Sequence, residues 1–145
     1  MHAPLVVLGG GPGGYAAAFM AADLGMEVTL VEKDTRLGGT CLLRGCIPSK
    51  ALLHVGRVVA EVREMQDWGV HFSAPKIDID AVRDRKEKVI DALTGGLAQL
   101  AKRRNVKVVQ GQGMFTASNT LEVIQQDAGS QKITFDHCIL ASGSR

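Results

Sequence analysis

Hydrophobic positions along this chain follow three rhythms, and each rhythm predicts a different element. Leu5-Val6-Val7-Leu8 is an unbroken apolar run closed by glycines, the pattern of a parallel strand buried on both faces. From Gly13 to Leu24, Tyr15 and Phe19 sit among Ala16, Ala17, Ala18, Ala21 and Ala22. This reads as a small-residue helix stopped by Gly25. Glu27 to Val31 reads as a second strand, ending at Glu32. Strand, glycine turn, helix and strand within the first thirty-two residues make one βαβ unit, of the right-handed kind.

Lys33 to Gly39 reads as a loop. Helical rhythm then runs from about Thr40 to Asp67, with an interruption expected at Gly45 to Pro48, because proline has no amide hydrogen to donate. Trp68 to Lys76 reads as a connector. A second long helix is expected behind Asp78 or Asp80, either of which suits an N-cap. Val82, Val89, Ile90, Leu93, Leu97 and Leu100 recur in it at helical spacing to about Arg104. Gly95-Gly96 inside that helix costs about 1 kcal/mol per glycine, and close packing is the expected reason for the pair. Beyond Arg104 the period falls to two. Val106–Gln110, Gly113–Ala117, Leu121–Gln125, Lys132–Phe135 and Cys138–Ala141 read as short strands, with Asp127-Ala128-Gly129-Ser130 as a turn. They are expected to form a small antiparallel meander that returns the chain to one more buried strand. The fold class expected is α/β: a Rossmann-like βαβ unit with a parallel sheet, plus that meander, together an incomplete domain.

Composition narrows the function classes. The chain has 145 residues, 46% hydrophobic and 22% charged, which is globular rather than disordered composition. A formal net charge of +2 without a basic cluster gives no ground for expecting nucleic acid or an anionic membrane as partner. No apolar stretch is long enough to span a bilayer, and Met1-His2-Ala3-Pro4 has no basic leader. The cytoplasm is therefore the expected location. Three cysteines do not make a secreted disulfide scaffold. Cys41 and Cys46 form a close pair, and Cys138 stands alone.

Gly9-Gly10-Gly11-Pro12-Gly13-Gly14 contains G-x-G-x-x-G as Gly9, Gly11 and Gly14. In such a motif the first glycine allows the tight turn, the second lets a pyrophosphate approach the backbone, and the third lets the helix pack on the sheet. Amides at the helix start favour the phosphates. The motif alone is weak, but here a strand precedes it, a helix follows, and Glu32 ends the next strand. A carboxylate at that place suits the two ribose hydroxyls and repels a 2′-phosphate, so FAD or NAD is favoured over NADP.

Cys41 and Cys46 are separated by four residues, a spacing that permits the approach a disulfide needs. A helix start nearby is expected to lower a thiol pKa. Lys50, four residues beyond Cys46, projects from the same helical face. A dithiol and a cation beside a dinucleotide turn point to redox chemistry. Two buried free cysteines, a zinc site recruiting His54 and Cys138, and a static disulfide are the competing readings.

Gly9 to Tyr15, Glu32-Lys33 and Gly38 to Leu53 together resemble the dihydrolipoamide dehydrogenases, a branch of the pyridine nucleotide–disulfide oxidoreductases. Thr94-Gly95-Gly96-Leu97, Gly111 to Phe115 and Ile139 to Arg145 fit the same pattern, so the resemblance covers the whole chain. Glutathione and mercuric reductases are similar, but usually carry lysine where Ser49 stands and valine where Ile47 stands, respectively. The resemblance implies FAD as cofactor, with Gly9, Gly11 and Gly14 facing its pyrophosphate, Glu32 on the adenosine ribose and Lys33 flanking it. Gly39 and Thr40 would follow the diphosphate and ribityl chain, Gly113 would meet the adenine side, and Ser142 and Gly143 would line the cofactor near the phosphates. Cys41 would exchange with dihydrolipoamide, Cys46 would lie next to the flavin, and Lys50 near its N5. Electrons would pass from dihydrolipoamide, carried on a lipoyl-domain protein, through the disulfide and FAD to NAD⁺, in a homodimer serving 2-oxoacid dehydrogenase complexes. Two departures are Ser142, where alanine or threonine is more usual, and Leu43-Arg44 between the cysteines. Arg44 is expected to reach solvent.

Members of that family run to several hundred residues. Residues 1–145 are therefore expected to be the N-terminal part of the FAD-binding domain, with the NAD, central and dimer-interface domains absent from this chain. His54, His71 and His137 match no acid–base role and are expected to face solvent or pack. Alone, the chain is expected to bind FAD weakly or not at all and to form no NADH from dihydrolipoamide. The alternatives are another FAD disulfide reductase, of the glutathione or mercuric reductase type, and a stand-alone, non-catalytic flavin- or nucleotide-binding module.

Overall fold

A computed structural model describes residues 1–125 and 129–144. The apolar run becomes β1 (His2–Leu8), the glycine turn opens α1 (Pro12–Asp23), and β2 (Val28–Glu32) follows. β1 and β2 pair in parallel, Leu5 opposite Val28 through Leu8 opposite Val31. Side chains of β1 leave in alternate directions, so Leu5 and Val7 face one core cluster and Val6 the other. A strand buried on both faces can hold no polar position, which is why this segment reads as an unbroken apolar run. β1 starts earlier than the run, at His2, and contains Pro4. β2 begins opposite Leu5, so Pro4 lies in the overhang beyond β2, where a missing donor is tolerated.

After the loop come α2 (Gly39–Leu43), α3 (Cys46–Glu64), a 3₁₀ turn (Met65–Trp68) and α4 (Ile79–Arg103). The helix break falls at Arg44 and Gly45. Pro48 is the third residue of α3, inside the first turn, where an amide has no intrahelical acceptor and proline fits. Asp78 caps α4, its carboxylate accepting from the amides of Asp80 (3.1 Å) and Ala81 (3.0 Å). At the other end Arg104 pairs with Asp23 at 2.9 Å and lies over the Phe19 ring at 5.2 Å, joining α4 to α1. Leu5, Phe19, Leu30, Leu37, Ala101 and Val106 fill the core between these helices and the sheet.

The expected packing role of Gly95-Gly96 is not found. A Cβ on either glycine would meet nothing within 4 Å. Gly96→Ala is therefore expected to stabilise the chain by about 0.5–1 kcal/mol through helix propensity, read as a higher urea midpoint at unchanged slope.

β3 (Lys107–Gln110), β4 (Gln112–Ala117), β5 (Thr120–Gln125) and β6 (Gly129–Leu140) complete one six-stranded sheet, in the order β3-β2-β1-β6-β5-β4. Two expectations change here. β3 does not belong to the meander; it pairs in parallel with β2, Thr29 opposite Lys107, with α4 in the crossover that a parallel pair requires. The segments read as two strands, Lys132–Phe135 and Cys138–Ala141, are one long strand. β6 runs antiparallel to β5 from Gly129 to Thr134 and parallel to β1 from Thr134 to Leu140. The meander of β4, β5 and β6 is as expected. It curls over the sheet, and Leu121, Val123, Ile133 and Phe135 close a second core cluster on Val6, Val31 and Val109. Of the expected turn, Asp127 and Ala128 lie outside the described residues, as does Arg145, while Gly129 and Ser130 open β6. Among the described residues no helix is long and apolar enough to cross a membrane.

Candidate functional site

The glycine turn sits at the C-terminal ends of β1 and β2, the place where open α/β sheets bind ligands. Gly9 has φ +108°, and a Cβ there would lie 2.2 Å from the Ala141 carbonyl oxygen. A Cβ on Gly14 would lie 1.7 Å from the Gly9 oxygen. Gly11 is different. A Cβ on it would meet only the Gly39 Cα, at 3.8 Å, so nothing in the protein demands glycine there and the approach to its backbone is open. Pro12 occupies the first position of α1, with no side-chain cap and no acidic residue in the first turn. The amides of that turn therefore have no protein carboxylate competing for them.

Glu32 is 6% exposed and already engaged. Its Oε2 accepts from the Gly10 amide at 2.6 Å and its Oε1 from the Asp34 amide at 2.9 Å. The carboxylate thus binds the glycine turn to the end of β2. Sequence reasoning missed this task, although an acid following a glycine turn at this distance was its signal. Each oxygen keeps a second lone pair for an outside donor. Lys33 is exposed beside it. Glu32 also lines a cleft of about 690 Å³ between the loop after β2, α4 and β3, whose wall includes Arg36, Thr94, Gly95, Lys102 and Gln110. The α4 wall was not foreseen; the small-residue run Thr94-Gly95-Gly96 was its only trace.

The loop after β2 returns to the turn. The Gly38 amide donates to the Gly10 carbonyl at 2.8 Å, and a Cβ on Gly39 (φ +58°) would lie 2.7 Å from the Gly11 Cα. Backbone meets backbone here, and α2 starts directly against the glycine turn. That contact brings Thr40, which is exposed, and Cys41 next to it. The break at Gly45 folds the chain back on Cys41, its ideal Cβ position 3.6 Å from the Cys41 Cα. Cys46 then stands as the first residue of α3. Both cysteines are free thiols, Cys41 half-buried and Cys46 exposed.

Interaction with the Cys46 thiol pushes the Cys41 thiol above its ordinary value, aided by desolvation and the Cys46 charge. The Cys46 amide, at the start of α3, and the Lys50 ammonium pull the other way. The helix-start effect expected from the sequence is therefore present at Cys41 but outweighed by the second thiol. Arg44 is exposed, as expected, and its Nη2 also donates to Asp34 Oδ2 at 2.5 Å.

Ser142 follows β6 and touches the turn, its Cα 3.2 Å from the ideal Gly9 Cβ position; Gly143 is exposed. Gly113 stands apart from the turn. A Cβ on it would press to 2.7 Å on Leu8 Cδ1, so packing alone accounts for glycine there. Cys138 pairs with Val6 across β1 and β6 and packs against the second core cluster; burial raises its thiol pKa. His54, His71 and His137 are exposed. Among the described residues no group of three or more His, Cys, Asp or Glu is placed to hold a metal ion.

A parallel βαβ unit whose glycine turn abuts a dithiol defines a flavoprotein-like disulfide reductase fold, and the comparisons with known proteins agree. The family described as pyridine nucleotide-disulphide oxidoreductase matches residues 3–145, and the chain belongs to that family. It is 54% identical over its full length to the dihydrolipoyl dehydrogenase of Vibrio cholerae, and 52% identical over 97% of its length to that of Haemophilus influenzae. It is 45% identical over 97% of its length to that of Haloferax volcanii. The chain spans 30% of the length of each of these curated relatives. Among solved structures, it superposes on the Cu(II) complex of the HOCl-induced flavoprotein disulfide reductase RclA from Escherichia coli. The TM-score is 0.82 at 25% identity, over 100% of this chain and 29% of that one.

Proposed function

We propose that residues 1–145 are the FAD-binding, disulfide-bearing part of a dihydrolipoyl dehydrogenase. Such an enzyme oxidises dihydrolipoamide on a lipoyl-domain protein, with NAD⁺ as final acceptor, as a homodimer in 2-oxoacid dehydrogenase complexes. The observation that carries this reading is the neighbouring Cys41 and Cys46 thiols, brought together by the fold-back at Gly45 and placed by the Gly11–Gly39 contact against an open glycine turn. The turn suits FAD: Gly11 presents bare backbone, and the first turn of α1 offers free amides to a pyrophosphate. Gly9, Gly11 and Gly14 would form that cradle. Glu32, with Lys33 beside it, would hold the adenosine ribose, and Gly39, Thr40, Gly113, Ser142 and Gly143 would follow the cofactor. Lys50 would face the ring system. Bound flavin supplies an acceptor for the electron pair of the thiols.

The residues of the chain carry the thiol exchange. A dihydrolipoamide thiolate attacks the Cys41 sulfur of the disulfide, the Cys41–Cys46 bond breaks, and Cys46 leaves as the thiolate. The second substrate thiol then displaces Cys41, giving the cyclic disulfide of lipoamide and the protein dithiol. The Lys50 ammonium stabilises negative charge at the pair. The same reading implies a cytoplasmic location.

The test follows thiol state by intact mass after alkylation. Dihydrolipoamide is expected to convert the oxidised chain to the dithiol, with reduced glutathione far less effective at equal thiol. With glutathione disulfide supplied as the oxidant, Cys46→Ser is expected to accumulate a glutathione mixed disulfide at Cys41 with release of one glutathione thiol, and Cys41→Ser to form the adduct at Cys46 more slowly. Glutathione matching dihydrolipoamide, or the adduct forming on Cys46 in preference to Cys41, would sink this assignment.

A further inference from the structure

Arg44 lies between the two cysteines in sequence. Its guanidinium turns away to Asp34, with Nη2 2.5 Å from Oδ2. The Arg44 side chain is 55% exposed and that of Asp34 24%, so the pair is shielded on the Asp34 side alone. Residues 33–36 and 43–44 face each other across a cleft of about 290 Å³. Among the described residues, Arg44 to Asp34 is the side-chain hydrogen bond recorded between these two segments. Behind it stands a fixed support. The Asp34 amide donates to Glu32 Oε1, and Glu32 Oε2 accepts from the Gly10 amide. The residue midway through the dithiol loop is thus connected, through Asp34 and Glu32, to the glycine turn.

We propose that Arg44 is a positioning residue for the Cys41–Cys46 couple: its pairing with Asp34 holds the intercysteine loop in a form that closes readily, and so favours the disulfide. This rests on the reading of the pair as a redox couple. Leu42 and Leu43 belong to α2 and the Arg44 amide donates to the Thr40 carbonyl at 3.0 Å, so the freedom of the intercysteine segment lies at Gly45, with φ −124° and ψ −104° outside the helical region, and in the Arg44 side chain. A loop with that freedom loses entropy on ring closure. A tether already present in the dithiol has removed part of that freedom beforehand, so less remains to be lost.

The equilibrium to measure is protein dithiol plus glutathione disulfide giving protein disulfide plus two glutathione thiols. The Cys41–Cys46 bond forms, the glutathione S–S bond breaks, and two electrons and two protons pass from the cysteines to glutathione. The full chain is equilibrated in glutathione buffers, acid-quenched, alkylated and weighed, with circular dichroism recorded for each variant. Arg44→Ala and Asp34→Asn are each expected to lower the constant about three- to fivefold, the range of a partly exposed ion pair. The double variant is expected to fall no further than the larger single change. Arg44→Lys, which keeps the cation, is expected to stay within about twofold of the parent. The pH midpoint of Cys41 alkylation is expected to be the same in Arg44→Ala as in the parent, because the guanidinium is paired with Asp34.

Unchanged or raised constants in both single variants, additive losses in the double variant, or a shifted alkylation midpoint would each overturn the positioning role. They would leave the redox reading standing. A parent chain that forms no intramolecular disulfide at any glutathione ratio overturns both.

Discussion

Gly14→Ala is expected to destabilise the chain by more than about 3 kcal/mol, a large part of the 5–15 kcal/mol that holds a typical domain. The new Cβ would sit 1.7 Å from the Gly9 carbonyl oxygen and 2.8 Å from its carbon. Neither atom has room to withdraw. Gly9 is held at φ +108° with its own α-carbon face against Ala141, and its amide donates to Val31 at 2.8 Å. Relief would require moving α1 off the sheet, and the Phe19, Ala18 and Leu30 packing with it. Urea unfolding followed by circular dichroism measures the loss. Gly11→Ala is the matched control, since its Cβ would meet only a Cα at 3.8 Å. It is expected to leave the folding midpoint nearly unchanged. Equal destabilisation by both variants would refute the division between a packing glycine and a binding glycine.

Glu32→Gln is the second large effect, an expected loss of about 2–3 kcal/mol in the chain without any ligand. Both carboxylate oxygens accept from backbone amides in a buried place. Glutamine keeps the shape but has one acceptor oxygen, so its NH₂ must face one of the two N–H donors. A buried donor is then left without an acceptor, and the turn loses one of its ties to β2. Isosteric size removes cavity formation as a rival cause. The measurement is again the urea midpoint, with no cofactor added. A variant as stable as the parent would show that the carboxylate is reserved for a ligand.

Much of this was legible in the chain, for identifiable reasons. Val6, Val7, Leu30 and Val31 are buried on both faces of the sheet, and burial on both sides writes itself as continuous hydrophobicity. Asp78 was legible as a cap because its side chain bonds locally. The dithiol was legible because the Cys41–Cys46 spacing belongs to one turn of chain. What escaped depends on partners distant in sequence. Asp136 and His137 interrupt the apolar alternation of β6 and divide it in the sequence, yet they lie just past Thr134, where the strand passes from β5 to β1, and continue the pairing with β1. β3 carries the alternation of an edge strand, and that pattern does not distinguish parallel from antiparallel pairing. Arg44 and Asp34 are each unremarkable surface residues until the loop places them together. Glu32 was recognised by position, but its bonds to two amides depend on how tightly the turn closes.

The dual pairing of β6 also governs the order in which the molecule can assemble. β1 gains β2 from its own neighbourhood, but its other flank waits for β6, and His2 and Thr134 are 132 positions apart. Until that strand is made, a highly apolar central strand keeps one bare hydrogen-bonding edge, the condition that invites association with other chains. Sheet closure is a late, nonlocal event, of the kind that slows folding to about milliseconds or longer. A ribosome-bound chain ending before Gly129 would have the glycine turn and both cysteines outside the tunnel and still lack the strand that completes their support. The cysteine pair is written early in the polypeptide, but its supporting sheet is finished only when β6 arrives.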